Sequence, residues 1–221
     1  MADVKVEIGQ EIQQSAGEAA RVLARIFASR KVLAVNLVSS PGSGKTTLIE
    51  AMIDRLAGRK RIAVVEGDIE TEIDSERIRK HGVQVHQITT RSACHIPPEL
   101  LVKALGHLDL DAADLLVVEN VGNLVCPAEV PLGEDVRIVA LSVTEGDEKP
   151  LKYPLIFKTS RILVITKTDL LPFVKFSTDA VKTAARAVNP GIEIFETSAV
   201  TGEGIAALVD RIEALHAEKA R

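Results

Sequence analysis

The sequence predicts an α/β protein whose mainly parallel central sheet is flanked by helices on both faces. Three observations predict it. Near-continuous apolar runs at 32–38, 115–118, 136–143 and 161–165 lack polar alternation, as strands buried on both faces do. Stretches of helical periodicity separate these runs with no intervening linker, which calls for right-handed βαβ crossovers. The first run opens into the glycine-rich turn Ser39-Ser40-Pro41-Gly42-Ser43-Gly44-Lys45-Thr46-Thr47, followed by another helical pattern.

Ile12, Ala16, Ala19, Leu23 and Phe27 recur at helical spacing and predict an amphipathic helix over about 10–29, ahead of the first strand. After the turn, Leu48, Ile49, Met52, Ile53 and Leu56 line one helix face, which Gly58 can close in a left-handed conformation. A second strand at 61–65 opens onto Glu66-Gly67-Asp68, and Glu70, Glu72 and Asp74 lead into a short helix ended by Gly82. Alternation at 83–88 suits a strand nearer the sheet edge, running into a loop at 89–95. Pro97 and Pro98 start a helix, and the strand at 115–118 ends at Glu119 before a long loop at 120–135. A further strand is expected at 191–195, and Ile205, Leu208, Ile212 and Leu215 give the last helix its apolar face. Parallel sheets bind ligands beyond the carboxyl ends of their strands. Ser39, Asp68, Cys94, Glu119 and Thr166 all fall there and are expected to share one rim.

With 221 residues, 46% of them hydrophobic, the chain can build one sizeable core and reads as a single domain over 1–221. A net charge of −4 without any Lys/Arg cluster argues against nucleic acid as a partner. No apolar run is long enough to span a membrane, and the leading segment 1–9 has no signal-peptide core, so a cytoplasmic protein is expected. In that compartment two cysteines are poor candidates for a stabilising disulfide. Cys94 and Cys126 are then either inert core thiols or groups with a chemical use.

The turn is a phosphate cradle and predicts a P-loop NTPase. Gly42 and Gly44 let backbone N–H groups of Ser40 to Thr47 approach phosphate oxygens at a helix N-terminus; Lys45 reaches the β and γ phosphates, and the Thr46 hydroxyl binds Mg2+. A full motif has glycine at Ser39, so serine must take a conformation it tolerates or mark a looser turn. Thr166-Lys167-Thr168-Asp169 and Thr197-Ser198-Ala199, each after a strand, look like the guanine-reading motifs of G proteins. The Asp169 carboxylate matches two donors on the guanine edge and opposes an acceptor on adenine; taken alone it could equally be a helix cap. Lys167 would lie along the base and the Ala199 N–H would meet the guanine carbonyl. Thr166 replaces the usual asparagine, as in the branch related to signal-recognition GTPases. Glu119 and, more weakly, Asp74 are the Mg2+ carboxylates, Asp68 is placed to order attacking water, and Gly122 could offer its N–H to the γ phosphate so that hydrolysis releases the 120–135 loop. Much of the charge at Glu70, Glu72 and Asp74 is also what a solvated helix start would carry.

Cys126 lies in that same loop, and Cys94-His95 in the neighbouring one. Two sulfurs and an imidazole suit Zn2+ or Ni2+ rather than Mg2+. Three ligands leave the site open, to be completed by exchangeable water or by a second chain across a two-fold axis, with Glu99 a possible further ligand. His81, His86, His107 and His216 are expected to be surface residues.

Ser-Ala-Cys-His at 92–95, Glu-Asn-Val-Gly-Asn-Leu-Val-Cys-Pro at 119–127 and Glu-Gly-Asp at 145–147 resemble the hydrogenase nickel-incorporation GTPases of the HypB type, a branch of the SIMIBI-class P-loop G proteins. The likeness runs from about residue 32 to the end. It implies GTP hydrolysis to GDP, a homodimer promoted by nucleotide or metal, a nickel or zinc site at Cys94, His95 and Cys126, and nickel delivery to a hydrogenase large-subunit precursor with a HypA-type chaperone; turnover is expected to be slow, because no arginine in the phosphate loop is placed to stabilise the transition state. Lys152 resembles a family lysine that reaches toward nucleotide near the subunit contact. Residues 1–30 contain neither Cys nor His, so the nickel storage of some relatives is not expected, and Glu99 stands where some carry a histidine. A urease-type nickel GTPase fits the 119–127 run badly, and a cobalamin-enzyme chaperone would not need the cysteines. A non-catalytic nucleotide-binding scaffold is the rival of a different class.

Overall fold

The computed structural model describes residues 2–68, 70–91 and 93–221, with side chains from Ser15 onward; Ile12, Ser92 and the side chains of segment 1–9, used in the reading above, lie outside what is described. In order, the elements are α1 (Ala2–Ser29), β1 (Leu33–Ser39), α2 (Lys45–Leu56), β2 (Ile62–Asp68), α3 (Ile73–Arg79), β3 (Gln84–Thr89), α4 (Pro98–Leu105) and β4 (Leu115–Glu119). There follow α5 (Cys126–Glu129), β5 (Val136–Ser142), α6 (Lys149–Lys152), α7 (Pro154–Thr159), β6 (Ile162–Thr166), α8 (Thr178–Val188), β7 (Glu193–Glu196) and α9 (Ile205–Lys219). The seven strands form one sheet in the order β3-β2-β4-β1-β5-β6-β7, and every pair is parallel.

Period-two alternation divides each strand between two helical layers. Leu33, Val35 and Leu37 of β1 pack with Leu48, Ile49 and Met52 of α2 and with Leu208 and Ile212 of α9. Ala34 faces the other way, onto Leu23 and Phe27 of α1 and Leu101 of α4. That second layer continues with Phe157 of α7 and Val181 of α8 against Val139 and Leu141 of β5. The α/β architecture with helices on both faces is the one expected, and β3 lies at a sheet edge as its alternation implied.

Three boundaries differ. Helix α1 begins at Ala2 rather than near Gln10. Strand β2 continues past Val65 to Asp68, because Glu66 stays in register with Glu119 of β4 and Gln87 of β3. The long loop holds a short helix, α5, whose Pro127 occupies a first-turn position where a missing N–H costs nothing.

The far end of that loop is clamped. Glu134 and Arg137 form an ion pair of 2.7 Å with side chains only 8% and 7% exposed. Glu134 also accepts from Asn36 Nδ2 at 3.1 Å and the Leu132 N–H at 2.7 Å. Asp135 accepts the Ala34 N–H at 2.8 Å, and Gly133 lies against the backbone of α1. These contacts anchor the far end of 120–135, beyond α5, in this structure.

Gly133 has φ +68°, and a Cβ there would lie 2.7 Å from the Ala24 nitrogen and press on the Ala20 carbonyl oxygen. Gly133→Ala is expected to cost about 1–3 kcal/mol, from left-handed strain and displacement of α1, read as a lower urea midpoint. An unchanged midpoint would mean that α1 is not seated there in solution.

Candidate functional site

The rim at the carboxyl ends of the strands gathers the expected residues. Ser39, Asp68, Glu119 and Thr166 are the last residues of β1, β2, β4 and β6. Ser39 remains extended, so the departure from glycine is absorbed without strain, and left-handed turns fall to Gly42 (φ 74°) and Gly44 (φ 88°). The Ser39 hydroxyl receives the Lys45 ammonium at 3.2 Å and bonds the Ser43 hydroxyl. Thr46, also buried, donates from Oγ1 to Glu119 Oε1 at 2.8 Å, joining the phosphate loop to the end of β4. Gly122 sits against the same loop: a Cβ there would come within 2.9 Å of Pro41 Cα.

A cleft lined by Gly42, Lys45, Glu66, Asp68, Asp74, Glu119 and Gly122 lies beside this contact. Asp68 Oδ2 accepts from the Thr71 N–H at 2.9 Å and its hydroxyl at 2.6 Å. Asp74 pairs with Arg77 at 3.2 Å, whose guanidinium also contacts Glu50 and, at 3.1 Å, Thr47 Oγ1. Glu66 and Glu119 are 2% and 3% exposed, and the Oε2 of each is buried without a hydrogen-bond partner among the described residues. Burial pushes the Glu66 carboxyl up to about 8, helped by the neighbouring charge of Glu119. Burial raises Glu119 to about 7, with Lys45 and the Thr46 hydroxyl opposing it. Unpartnered hard oxygens beside a threonine hydroxyl fit a hydrated Mg2+. Glu66 has no assigned role in the sequence reading, which takes it as the first loop residue. Period two was the available signal, since it puts Glu66 on the same side of β2 as Asp68.

On the other flank of the phosphate loop, Thr166 Oγ1 donates to Ser43 O at 2.7 Å and Lys167 Nζ donates to Gly42 O at 2.7 Å. Lys167 is itself left-handed at φ 61°, which lays its stem across Gly44. Asp169 Oδ1 accepts from the Ser198 hydroxyl at 2.6 Å. Thr166, Lys167 and Asp169, with Thr47, Ala199 and Val200, line a cavity of about 300 Å³, large enough for a purine base.

Cys94, His95 and Cys126 converge as expected, with one potential ligand atom from each lying within 4.8 Å of the others. Against expectation, Cys94 and Cys126 are joined in a disulfide, their Cα atoms 6.2 Å apart. A Cα separation of this size suits a disulfide and also two cysteines on one metal ion after the sulfurs part, so this geometry admits either state, and ligation belongs to the reduced one. Asn123 Nδ2 donates to Cys126 Sγ at 3.6 Å. Burial lowers the His95 pKa, partly offset by the charge of Glu99. Glu99 does not join the trio; its Oε1 accepts from the Ser15 hydroxyl of α1 at 3.1 Å.

Lys152 pairs with Glu148 at 2.6 Å on the exposed side of α6. Of the two lysines at the ends of α6, Lys149 approaches the phosphate loop, 3.4 Å from Ser40 Oγ, and it is absent from the sequence reading. Its signal was weak, since both lysines share one short helix.

A family model described as the CobW/HypB/UreG nucleotide-binding domain matches residues 33–196. The hydrogenase maturation factor HypB of Escherichia coli strain K12 is 48% identical over 179 residues, covering 81% of this chain and 62% of that protein, so the chain spans less than two thirds of that relative. The probable hydrogenase maturation factor HypB of Methanocaldococcus jannaschii is 38% identical over 94% of each chain. The crystal structure of HypB from Helicobacter pylori in complex with nickel aligns with a TM-score of 0.89 at 36% identity, over 92% of this chain and 96% of that one.

Carboxyls raised by burial hold protons in the folded chain that the unfolded chain has already lost. Their stabilising contribution is complete below the ordinary carboxylate range and disappears as pH rises through about 7 for Glu119 and about 8 for Glu66. Without nucleotide or Mg2+, unfolding free energy should fall by several kcal/mol between pH 5 and pH 9. Glu66→Gln should flatten much of that slope. A pH-independent parent would contradict the assigned burial.

Proposed function

Because the chain belongs to the HypB branch of the CobW/HypB/UreG nucleotide-binding family, we propose that it is a GTP-hydrolysing metallochaperone that binds nickel or zinc and assists nickel insertion during hydrogenase maturation. The observation that carries this reading is the convergence, on one rim, of a phosphate loop with its base pocket and the Cys94-His95-Cys126 trio, linked by the seven residues from 120 to 126.

In this reading the backbone of Ser40 to Thr47 cradles the phosphates, and Lys45 exchanges its Ser39 partner for phosphate oxygens. Thr46 and Glu119, with Asp74 nearby, hold Mg2+, which supplies charge neutralisation at the transferring phosphoryl group. Asp68 orders the attacking water, Gly122 senses the γ phosphate, and Lys167, Asp169, Ser198 and Ala199 select guanine. Turnover is slow, because the nearby Arg77 is held by Glu50 and Asp74 and offers no free guanidinium to the transition state.

Cargo binds at the reduced trio, whose three protein ligands leave a position open for exchange. The protein acts as one nucleotide-binding domain in the cytoplasm, forming a homodimer promoted by nucleotide or metal and working with a HypA-type chaperone and a hydrogenase large-subunit precursor. Among the described residues, no helix is long and apolar enough to cross a membrane. Exposed Val125, Leu151 and Leu155 near Cys126 and Lys152 favour a dimer on this side, where Lys152 would reach the partner's nucleotide.

Lys45→Ala should reduce GTP turnover at least about 100-fold in a phosphate-release assay. Unchanged turnover would leave the scaffold as the better reading. Cys126→Ala should weaken nickel binding of the reduced chain about tenfold or more while GDP affinity stays within about twofold. Equal loss of both would make Cys126 a folding residue.

A further inference from the structure

Asn120, directly after Glu119, is 1% exposed and its backbone N–H donates to Leu37 O of β1 at 2.9 Å. Its side-chain Oδ1 accepts two bonds, from the Ile96 N–H at 3.0 Å and from the Val121 N–H at 2.9 Å. Its Nδ2 donates to Asn36 Oδ1 at 3.2 Å, and Asn36 is fully buried. Only one orientation of the amide serves these contacts, since the flipped group would set an NH2 against two N–H donors.

The two N–H groups that share this oxygen belong to different functions. Ile96 follows the ligand His95; Val121 precedes Gly122, which is packed against Pro41 of the phosphate loop. Ile96 is 0% exposed, and its side chain fills the place a Cβ on Gly67 would take, next to Asp68. No water reaches the shared oxygen, so a bond lost on either side leaves a buried donor unsatisfied rather than re-solvated. Val121 and Ile96 are therefore tied, and a shift of Gly122 is carried to the backbone beside His95.

Building on the function proposed above, we propose that Asn120 is the positioning residue that couples the nucleotide state to metal affinity, through the one carboxamide oxygen shared by the Ile96 and Val121 N–H groups. Asn36 only accepts from the NH2 end of that amide and does not itself carry the signal.

The test uses the full, reduced chain with Mg2+ and either GDP or a non-hydrolysable GTP analogue, with nickel(II) affinity measured by competition against a chromophoric chelator. The parent should show affinities differing by about fivefold or more between the two states. Asn120→Ala should bring that ratio within about twofold of unity, whereas Asn36→Ala, which leaves the shared oxygen in place, should retain at least half of it. Because Asn120→Ala removes a buried partner and could fail to fold, amide hydrogen exchange of the unmutated, metal-free chain gives a second reading. Exchange at Ile96 and Val121 should change together between GDP and the analogue. A parental ratio in Asn120→Ala, or Ile96 exchange that ignores the nucleotide, would overturn the proposal. Nickel bound equally in both states by the parent would also overturn it while leaving the chaperone reading intact; a parent that binds no nickel or hydrolyses no GTP would remove both.

Discussion

The constraint on which the rest depends is the position of β4 between β2 and β1. That placement sets Glu119 beside Glu66 on one flank and level with Leu37 on the other, just before the phosphate loop. A parallel sheet sends all its carboxyl ends to one rim, so three consecutive strands deliver their acids and their glycine turn to a single cleft. The hydrogen bond from Thr46 to Glu119 then closes the arrangement across β1 and β4.

Electrostatics at that cleft are unbalanced by construction. Glu66, Asp68, Asp74 and Glu119 surround Lys45, and two of these carboxyls are buried beyond the reach of bulk water. Burial answers the imbalance by raising both carboxyls, Glu66 to about 8 and Glu119 to about 7, so that a proton and a cation would compete for them. The neighbouring loop resolves its polar groups differently: Glu134, Arg137 and Asn36 satisfy one another, leaving the segment beyond α5 well anchored.

Much of this was legible in the amino-acid order because local chemistry and topology agree. The valine-rich runs are strands, the Gly-Ser-Gly-Lys-Thr turn sits where a P-loop must, and Cys94, His95 and Cys126 meet because their loops leave the same rim. What was hidden depends on tertiary context. Glu66 looks like a loop residue until ladder pairing with Glu119 extends β2, and the exposure of Lys152 against the inward reach of Lys149 is decided by the packing of α6. The disulfide was unexpected because cellular compartment, not separation in space, guided the reading. The convergence of Ile96 and Val121 on one oxygen joins backbone atoms 25 positions apart, and no side-chain pattern announces it.

The order of the strands also governs when the cysteine-histidine trio comes into being. Cys94 and His95 follow β3 at the margin of the sheet, Cys126 follows β4, and β2 lies between those two strands. A chain emerging from the ribosome first presents one thiol and one imidazole, and the second sulfur arrives 32 residues later. It draws level only after β4 has inserted between β1 and β2. Such non-local pairing is slow compared with helix formation, so a complete chelate is a late product of folding. Immature copies thus lack the paired sulfurs and imidazole, and any ligand that needs all three meets them only in finished molecules.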